Sequence, residues 1–164
     1  MNLKTLSTLT ASLLTATIFS FSAGVHAAVD QHEQATTTPA LKLNAGKKWA
    51  TDEPLRQGMT RIRESAASTL STLQIAKSAT TPYDTLAKEI DRQVAYIVKN
   101  CKLEPQADEA LHVILSDLIQ SNDALQGKSE HIKRSAGMVK LVGTLETYGN
   151  YFDHPGWDAP KSGQ

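Results

Sequence analysis

Four stretches of the chain carry apolar residues at intervals of three and four, the spacing that places them on one face of an α-helix. In chain order, the four stripes are Leu55, Met59, Ile62, Ala66, Leu70 and Leu73; Leu86, Ile90, Val94, Ile97 and Cys101; Ala107, Leu111, Ile114, Leu115, Leu118, Ile119 and Leu125; and Ile132, Ala136, Val139, Val142 and Leu145. No stretch alternates apolar and polar residues as a half-buried strand does. The pattern predicts an all-α protein with four helices.

Residues suited to helix ends separate these stripes. Thr51 offers an oxygen-bearing cap and is followed by two acidic residues, so it predicts the start of the first helix. Residues 81–84, with a proline and an aspartate, separate the first helix from the second. Pro105 suits the first turn of the third helix, and Gly127 can take the positive φ that ends it. Ser129 then predicts the start of the fourth helix.

Short connections favour antiparallel neighbours, so the expected architecture is an up-down-up-down antiparallel four-helix bundle. The bundle is predicted to span residues 49–157 and to be followed by a polar tail at residues 158–164. A coiled-coil oligomer is the alternative, and connections this short make it the less favoured one.

The amino-terminal part reads as an export signal rather than as part of the bundle. Residues 1–27 combine a positive start at Lys4, an apolar run and a Val-His-Ala end, which predicts a secretory signal peptide. A membrane anchor is the alternative, but Ser and Thr interrupt the run and no charge flanks its far end. Residues 28–48 read as a flexible lead-in. The mature protein is therefore expected in the periplasm, without a membrane segment.

The charge balance and the cysteine count narrow the function. Lys and Arg number 17, as do Asp and Glu, so no net field draws the protein to nucleic acid or to anionic lipid. Cys101 is the only cysteine and has no partner within the chain. It is a buried inert thiol, a metal ligand or half of an intermolecular disulfide.

The expected topology places four possible metal ligands at one end of the bundle. In an up-down-up-down arrangement, the start of helix one, the end of helix two, the start of helix three and the end of helix four meet. Met59, Cys101, His112 and His154 occupy those places. Thioether, thiolate and imidazole form a soft donor set suited to copper(I), zinc or a haem iron.

Each of these residues also has an ordinary structural interpretation. Met59 fits the core stripe, Cys101 can be a small buried hydrophobe, and His112 can bond to a backbone carbonyl of its own helix. Asp153 or a backbone carbonyl is a candidate to orient the ring of His154. The aromatic residues Trp49, Phe152 and Trp157 flank the same end, either as a plug that seals the core or as an interface for a partner protein.

Several catalytic motifs are missing from the sequence, which makes an enzyme the weaker hypothesis. There is no Cys-x-x-Cys-His haem attachment motif, no glycine loop for phosphate and no Gly-x-Ser-x-Gly elbow. The sequence therefore favours a non-catalytic binding protein for a soft metal ion, copper first and zinc second. A haem-binding electron carrier is the alternative, and a protein-interaction accessory factor without a metal is the third hypothesis.

Two resemblances add expectations to these. Met59 near the start of helix one and His154 at the end of helix four resemble the haem ligands of cytochrome b562, a periplasmic four-helix bundle, although Pro155 departs from its pattern. Residues 44–56, the Cys101 and His112 segments, and residues 148–157 are similar to small exported proteobacterial proteins labelled DnrO-like. The second resemblance implies a periplasmic helical protein connected with metal or nitrogen-oxide stress, and it implies no mechanism.

Overall fold

The computed structural model describes residues 40–75, 81–128 and 131–160, so the predicted signal peptide and residues 28–39 of the lead-in lie outside the described part. Within that part, most residues are helical, and the predicted four helices are confirmed. The elements are β1 (Trp49–Ala50), α1 (Glu53–Ile75), α2 (Thr81–Asn100), α3 (Pro105–Leu125), α4 (Arg134–Tyr151) and β2 (Phe152–Asp153). Among the described helices, none combines the length and the apolar character that a membrane-spanning segment needs.

The helices bury their apolar stripes against one another in a single core. α1 packs mainly on α2 and α3 mainly on α4, α2 also contacts α3, and α1 meets α4 at few positions. The largest fully buried side chains are Tyr148, Phe152, Leu55, Met59, Ile62, Leu86, Ile90, Ile97, Leu111, Ile114, Leu118 and Leu125. The stripes predicted for the first three helices therefore supply most of this core.

The cap of α1 differs from the predicted one. Asp52, rather than Thr51, accepts the backbone N–H of Leu55 at 3.0 Å and so satisfies a free donor of the first turn. The hydroxyl of Thr51 instead donates to the backbone carbonyl of Asp153 at 2.6 Å. Asp52 therefore caps α1, whereas Thr51 joins the segment before α1 to Asp153, which lies after α4.

The start predicted for the fourth helix is wrong, and its buried face is only partly as predicted, since Val142 and Leu145 are buried but three other members of the stripe are not. α4 begins at Arg134, and Ser129 lies outside the described residues. Ile132 and Val139 are 50% and 65% exposed, and Ala136 is exposed as well. The residues of α4 that are buried are Gly137, Met138, Leu141, Val142, Thr144, Leu145 and Tyr148.

A close approach of backbones explains this orientation of α4. A Cβ atom added to Gly137 would lie 2.8 Å from the Cβ of Ala124 and 3.0 Å from the backbone nitrogen of Leu125. α4 therefore turns its glycine towards α3, where no larger residue fits, and this rotation carries Val139 outwards. Both faces of α4 carry apolar residues at helical spacing, so periodicity alone could not choose between them.

Two short strands are the other departure from the sequence prediction. β1 pairs with β2 in a parallel register that sets Trp49 opposite Phe152 and Ala50 opposite Asp153. Each strand has two residues, which is too short for any alternation to be visible in the sequence. The pairing joins the segment before α1 to the segment after α4.

Two of the three glycines of α4, Gly137 and Gly143, provide a direct test of this packing. We expect Gly137→Ala to lower the free energy of unfolding by about 1–2 kcal/mol, because the added methyl group would collide with α3. Gly143→Ala is the matched control, since nothing lies within 4 Å of the position of its added Cβ. It should be neutral or stabilise the helix by up to about 1 kcal/mol. Urea denaturation of both variants measures the difference, and equal effects would contradict the α3–α4 arrangement.

Candidate functional site

The segments before α1, after α2 and after α4 meet at one end of the molecule. The carboxylate of Asp52 accepts the backbone N–H of Lys102 at 2.6 Å, which ties the start of α1 to the end of α2. The ammonium group of Lys48 donates to the carbonyl of Gly149 at 2.6 Å, beside the β1–β2 pairing. These bonds join residues that are about 50 and 100 positions apart in the chain.

Aromatic side chains close this end of the core. Tyr148 is fully buried and stacks on Phe152 with 5.2 Å between ring centroids, and Trp157 meets its ring edge-on at 4.7 Å. Trp49 and Phe152 are only 8% and 1% exposed. Gly149 allows the indole of Trp157 to lie directly on α4, because a Cβ there would approach the ring to 2.5 Å. Of the three predicted aromatic residues, Trp157 alone is partly exposed.

His154 lies at the edge of this aromatic cluster, with each ring nitrogen next to a hydroxyl group. Its Nδ1 is 3.0 Å from the hydroxyl of Tyr148, and its Nε2 is 3.4 Å from the hydroxyl of Thr60. Its ring also lies 4.8 Å from that of Trp157. The orienting contact on His154 thus comes from Tyr148 and not, as predicted, from Asp153, whose backbone carbonyl binds Thr51.

Burial and the nearby positive charges favour the neutral form of the His154 imidazole. Burial lowers the pKa of His154, and the positive charges of Arg56 and Arg63 lower it further, against the opposing effect of Glu53. Burial likewise raises the pKa of Tyr148, so its phenol stays protonated. The site therefore offers an uncharged ring whose Nδ1 side is held by a neutral hydroxyl group.

His154 borders an open polar cleft of about 580 Å³, which is also lined by Thr60, the residue beside its Nε2. Its lining consists of Glu53, Arg56, Gln57, Thr60, Arg61, Glu64, His154 and Pro155. The α1 residues repeat at intervals of three and four, so one polar face of that helix forms the wall opposite His154. These eight residues form the His154 cleft.

Cys101 belongs to a different set of contacts. Its thiol donates to the Asp52 carboxylate at 3.4 Å, next to the backbone bond from Lys102. Burial, the hydrogen bond to Asp52 and the negative charges of Asp52 and Asp108 raise the pKa of Cys101 to about 12. Cys101 is therefore a protonated donor that helps to fix the end of α2, and it does not line the His154 cleft.

Met59 and His112 also lie apart from the His154 cleft. Met59 is fully buried in the core. The side chain of His112 is 71% exposed, and its Nδ1 lies 2.8 Å from the carbonyl of Asp108 on its own helix. Within residues 40–75, 81–128 and 131–160, no three side chains of His, Cys, Asp or Glu are grouped so that they could hold a metal ion. The four predicted ligands thus do not form one cluster.

Sequence reasoning missed the residues that define the surroundings of His154. Tyr148 belongs to an aromatic run and lies six positions before His154, so it was visible in the sequence. The contact of its hydroxyl group with His154, however, depends on how the chain turns after α4. Thr60, Arg56 and Arg63 lie on α1, more than 90 positions away from His154, and no local pattern connects them to it.

No protein-family model, curated protein or solved structure matches this chain.

Proposed function

We propose that this is an exported, non-catalytic binding protein for a soft metal ion, copper first and zinc second, with the Nε2 of His154 as the anchoring ligand. We further propose that its helices form an up-down-up-down bundle. The observation that carries the metal proposal is the contact of His154 Nδ1 with the Tyr148 hydroxyl at 3.0 Å, which fixes the ring while Nε2 lies beside Thr60 in the lining of an open cleft.

The hydrogen bond at Nδ1 of His154 is of the kind found on histidines that bind a metal ion. Histidines that bind metals are commonly held by a hydrogen bond at the other ring nitrogen, which sets both tautomer and orientation. In the tautomer with hydrogen on Nδ1, His154 donates to Tyr148 and keeps a lone pair on Nε2. The weak 3.4 Å contact with Thr60 is then the one that a metal ion would replace.

Copper is preferred to zinc because of the number of ligands. Imidazole suits both metals. Structural zinc sites almost always have four ligands, whereas His154 is the only imidazole in the His154 cleft.

Export is proposed from the sequence of residues 1–27 alone. The bundle topology is supported by the packing of α1 on α2, α2 on α3 and α3 on α4.

Titration with copper(I) under anaerobic conditions tests the proposal. Protein secreted to the periplasm would be titrated against a chromophoric copper(I) chelator, and His154→Gln should lower its affinity for copper(I) at least about 10-fold. His112→Gln is the matched control, because it removes an imidazole that is largely exposed at another place. It should leave the affinity unchanged.

Other outcomes of the same experiment would contradict the proposal in distinct ways. If Cys101→Ser or Met59→Leu lowered the affinity for copper(I) as much as His154→Gln does, that result would support the larger set of ligands predicted from the sequence. A Soret band in the purified protein would support the haem-binding electron carrier instead. If the folded protein bound neither metal nor haem, the accessory factor that binds another protein would become the better hypothesis.

A further inference from the structure

We propose that a cavity between residues 40–49 and α3 is a second binding site, and that its ligand is a small, neutral molecule with an aromatic ring. The cavity has a volume of about 460 Å³, which falls in the range that is usual for small-molecule sites. None of the described residues that line this Trp49 cavity, named for the indole in its wall, belongs to the His154 cleft. The two sites are therefore independent of each other.

One helix face and one turn form the two walls of the Trp49 cavity. Along α3, the lining residues follow one another at intervals of three and four and so share one face of the helix, namely Gln106, Glu109, Ala110 and Val113. Residues 40–45 form the opposite wall, and two backbone hydrogen bonds of 2.8 Å between Asn44 and Lys47 close a tight turn there. Ala45 in this turn lines the cavity with a φ of 47°. Such a conformation is uncommon for a residue other than glycine and is found preferentially at functional sites.

The indole of Trp49 offers a ligand apolar ring surface rather than a hydrogen bond. Its Nε1–H donates to the backbone carbonyl of Lys42 at 2.7 Å, which uses the only hydrogen-bonding group of the side chain and fixes the ring. Leu41, Leu43 and Val113 add apolar side chains to the lining, and none of the three is fully buried. A molecule in the cavity would cover apolar surface that water now contacts, and an aromatic ring would pack favourably on the indole.

The charges of the lining favour a neutral ligand. Among the described residues that line the cavity, Lys42 and Glu109 are the ionisable ones, and they are opposite in sign and exposed. A charged ligand would therefore lose water without gaining a buried counter-charge, which weakens binding. The amide side chains of Asn44 and Gln106 supply both donors and acceptors, which can hold a hydroxyl or carbonyl group of a neutral molecule.

Titration with phenylnaphthylamine tests this site, because that probe is neutral and aromatic and fluoresces strongly only in apolar surroundings. Its fluorescence should rise on binding to the unchanged protein, and the indole N–H signal of Trp49, but not that of Trp157, should shift in a proton–nitrogen NMR spectrum. Leu43→Asp and Val113→Asp, one in each wall, should each lower the affinity for the probe at least about 10-fold, because they place a carboxylate against it. Ile119→Asp is the matched control, since it adds the same charge at an exposed position of α3 outside the lining. It should leave the affinity unchanged.

A charged analogue of the probe gives a second readout on the unchanged protein. Anilinonaphthalenesulfonate adds a negative charge to the same ring system and should bind at least about 10-fold more weakly than phenylnaphthylamine. Equal affinity for the two probes would overturn the assignment of a neutral ligand. An equal loss in Ile119→Asp, or a shift of the Trp157 signal alone, would place the probe elsewhere and overturn the site, as would absence of binding to the folded protein. Leu43 lies outside the helices, so Leu43→Asp tests the cavity even if Val113→Asp fails to fold.

Discussion

Leu118→Asp should unfold the protein, whereas the same substitution at the next position, Ile119→Asp, should be tolerated. Leu118 is completely buried between the helices, and Ile119 is 48% exposed on the outer side of α3. An aspartate at position 118 loses the apolar burial of leucine and places a carboxylate where it has no partner, a combined cost of at least about 4–5 kcal/mol. That loss is comparable with the whole stability of a typical domain, about 5–15 kcal/mol.

Far-ultraviolet circular dichroism during urea denaturation measures this pair of variants. Leu118→Asp is expected to lack a cooperative transition or to unfold at a much lower urea concentration. Ile119→Asp should shift the free energy of unfolding by less than about 1 kcal/mol. Because both variants add the same charge to the same helix, equal destabilisation would mean that the buried face of α3 has been assigned wrongly.

Asp52→Ala should lower the free energy of unfolding by about 2–3 kcal/mol, a large effect for a residue outside the apolar core. The substitution removes the acceptor for Leu55 N–H at the start of α1, which is typically worth about 1 kcal/mol. It also removes the acceptor for Lys102 N–H and for the Cys101 thiol, which adds about 1–2 kcal/mol. Glu53→Ala changes the adjacent, exposed carboxylate and should cost less than about 0.5 kcal/mol.

The contribution of Asp52 should also depend on pH in a defined direction. Burial alone would raise the pKa of Asp52, but the backbone hydrogen bonds from Lys102 and Leu55 outweigh it and lower the pKa below its ordinary value of 3.8. A lowered pKa in the folded state means that the stabilisation is complete above the unfolded-state value and is lost as the pH falls through the folded-state value. Stability measured from about pH 5 to about pH 2 should therefore fall less steeply in Asp52→Asn than in the unchanged protein.

The Asp52 contacts and the His154 cleft have separate roles at the same end of the molecule. Asp52, Cys101 and Lys102 tie α1 to the end of α2. His154 and Tyr148 instead present a neutral nitrogen to a cleft that solvent can enter. Cys101→Ser is therefore expected to affect stability slightly and metal affinity hardly at all, the reverse of what thiolate chemistry alone would suggest.

Local patterns in the sequence were sufficient for the number of helices and for most of their ends. Leu55, Met59 and Ile62 bury one face of α1 as their spacing predicts, and Pro105 begins α3 as its missing N–H favours. Gly127 takes a φ of 71° just after α3 ends. These features depend on residues within one or two turns of one another, and so the sequence contains them directly.

The face of α4 and the surroundings of His154 were decided only by tertiary structure. Gly137 turns towards α3 because the two backbones pack closely there, an effect that depends on Ala124 in another helix. Tyr148 and Thr60 reach the two nitrogens of one imidazole because the chain returns to the start of α1 after β2. Local spacing determines which residues share a helix face, whereas contacts between residues about 100 positions apart arise only when the helices pack.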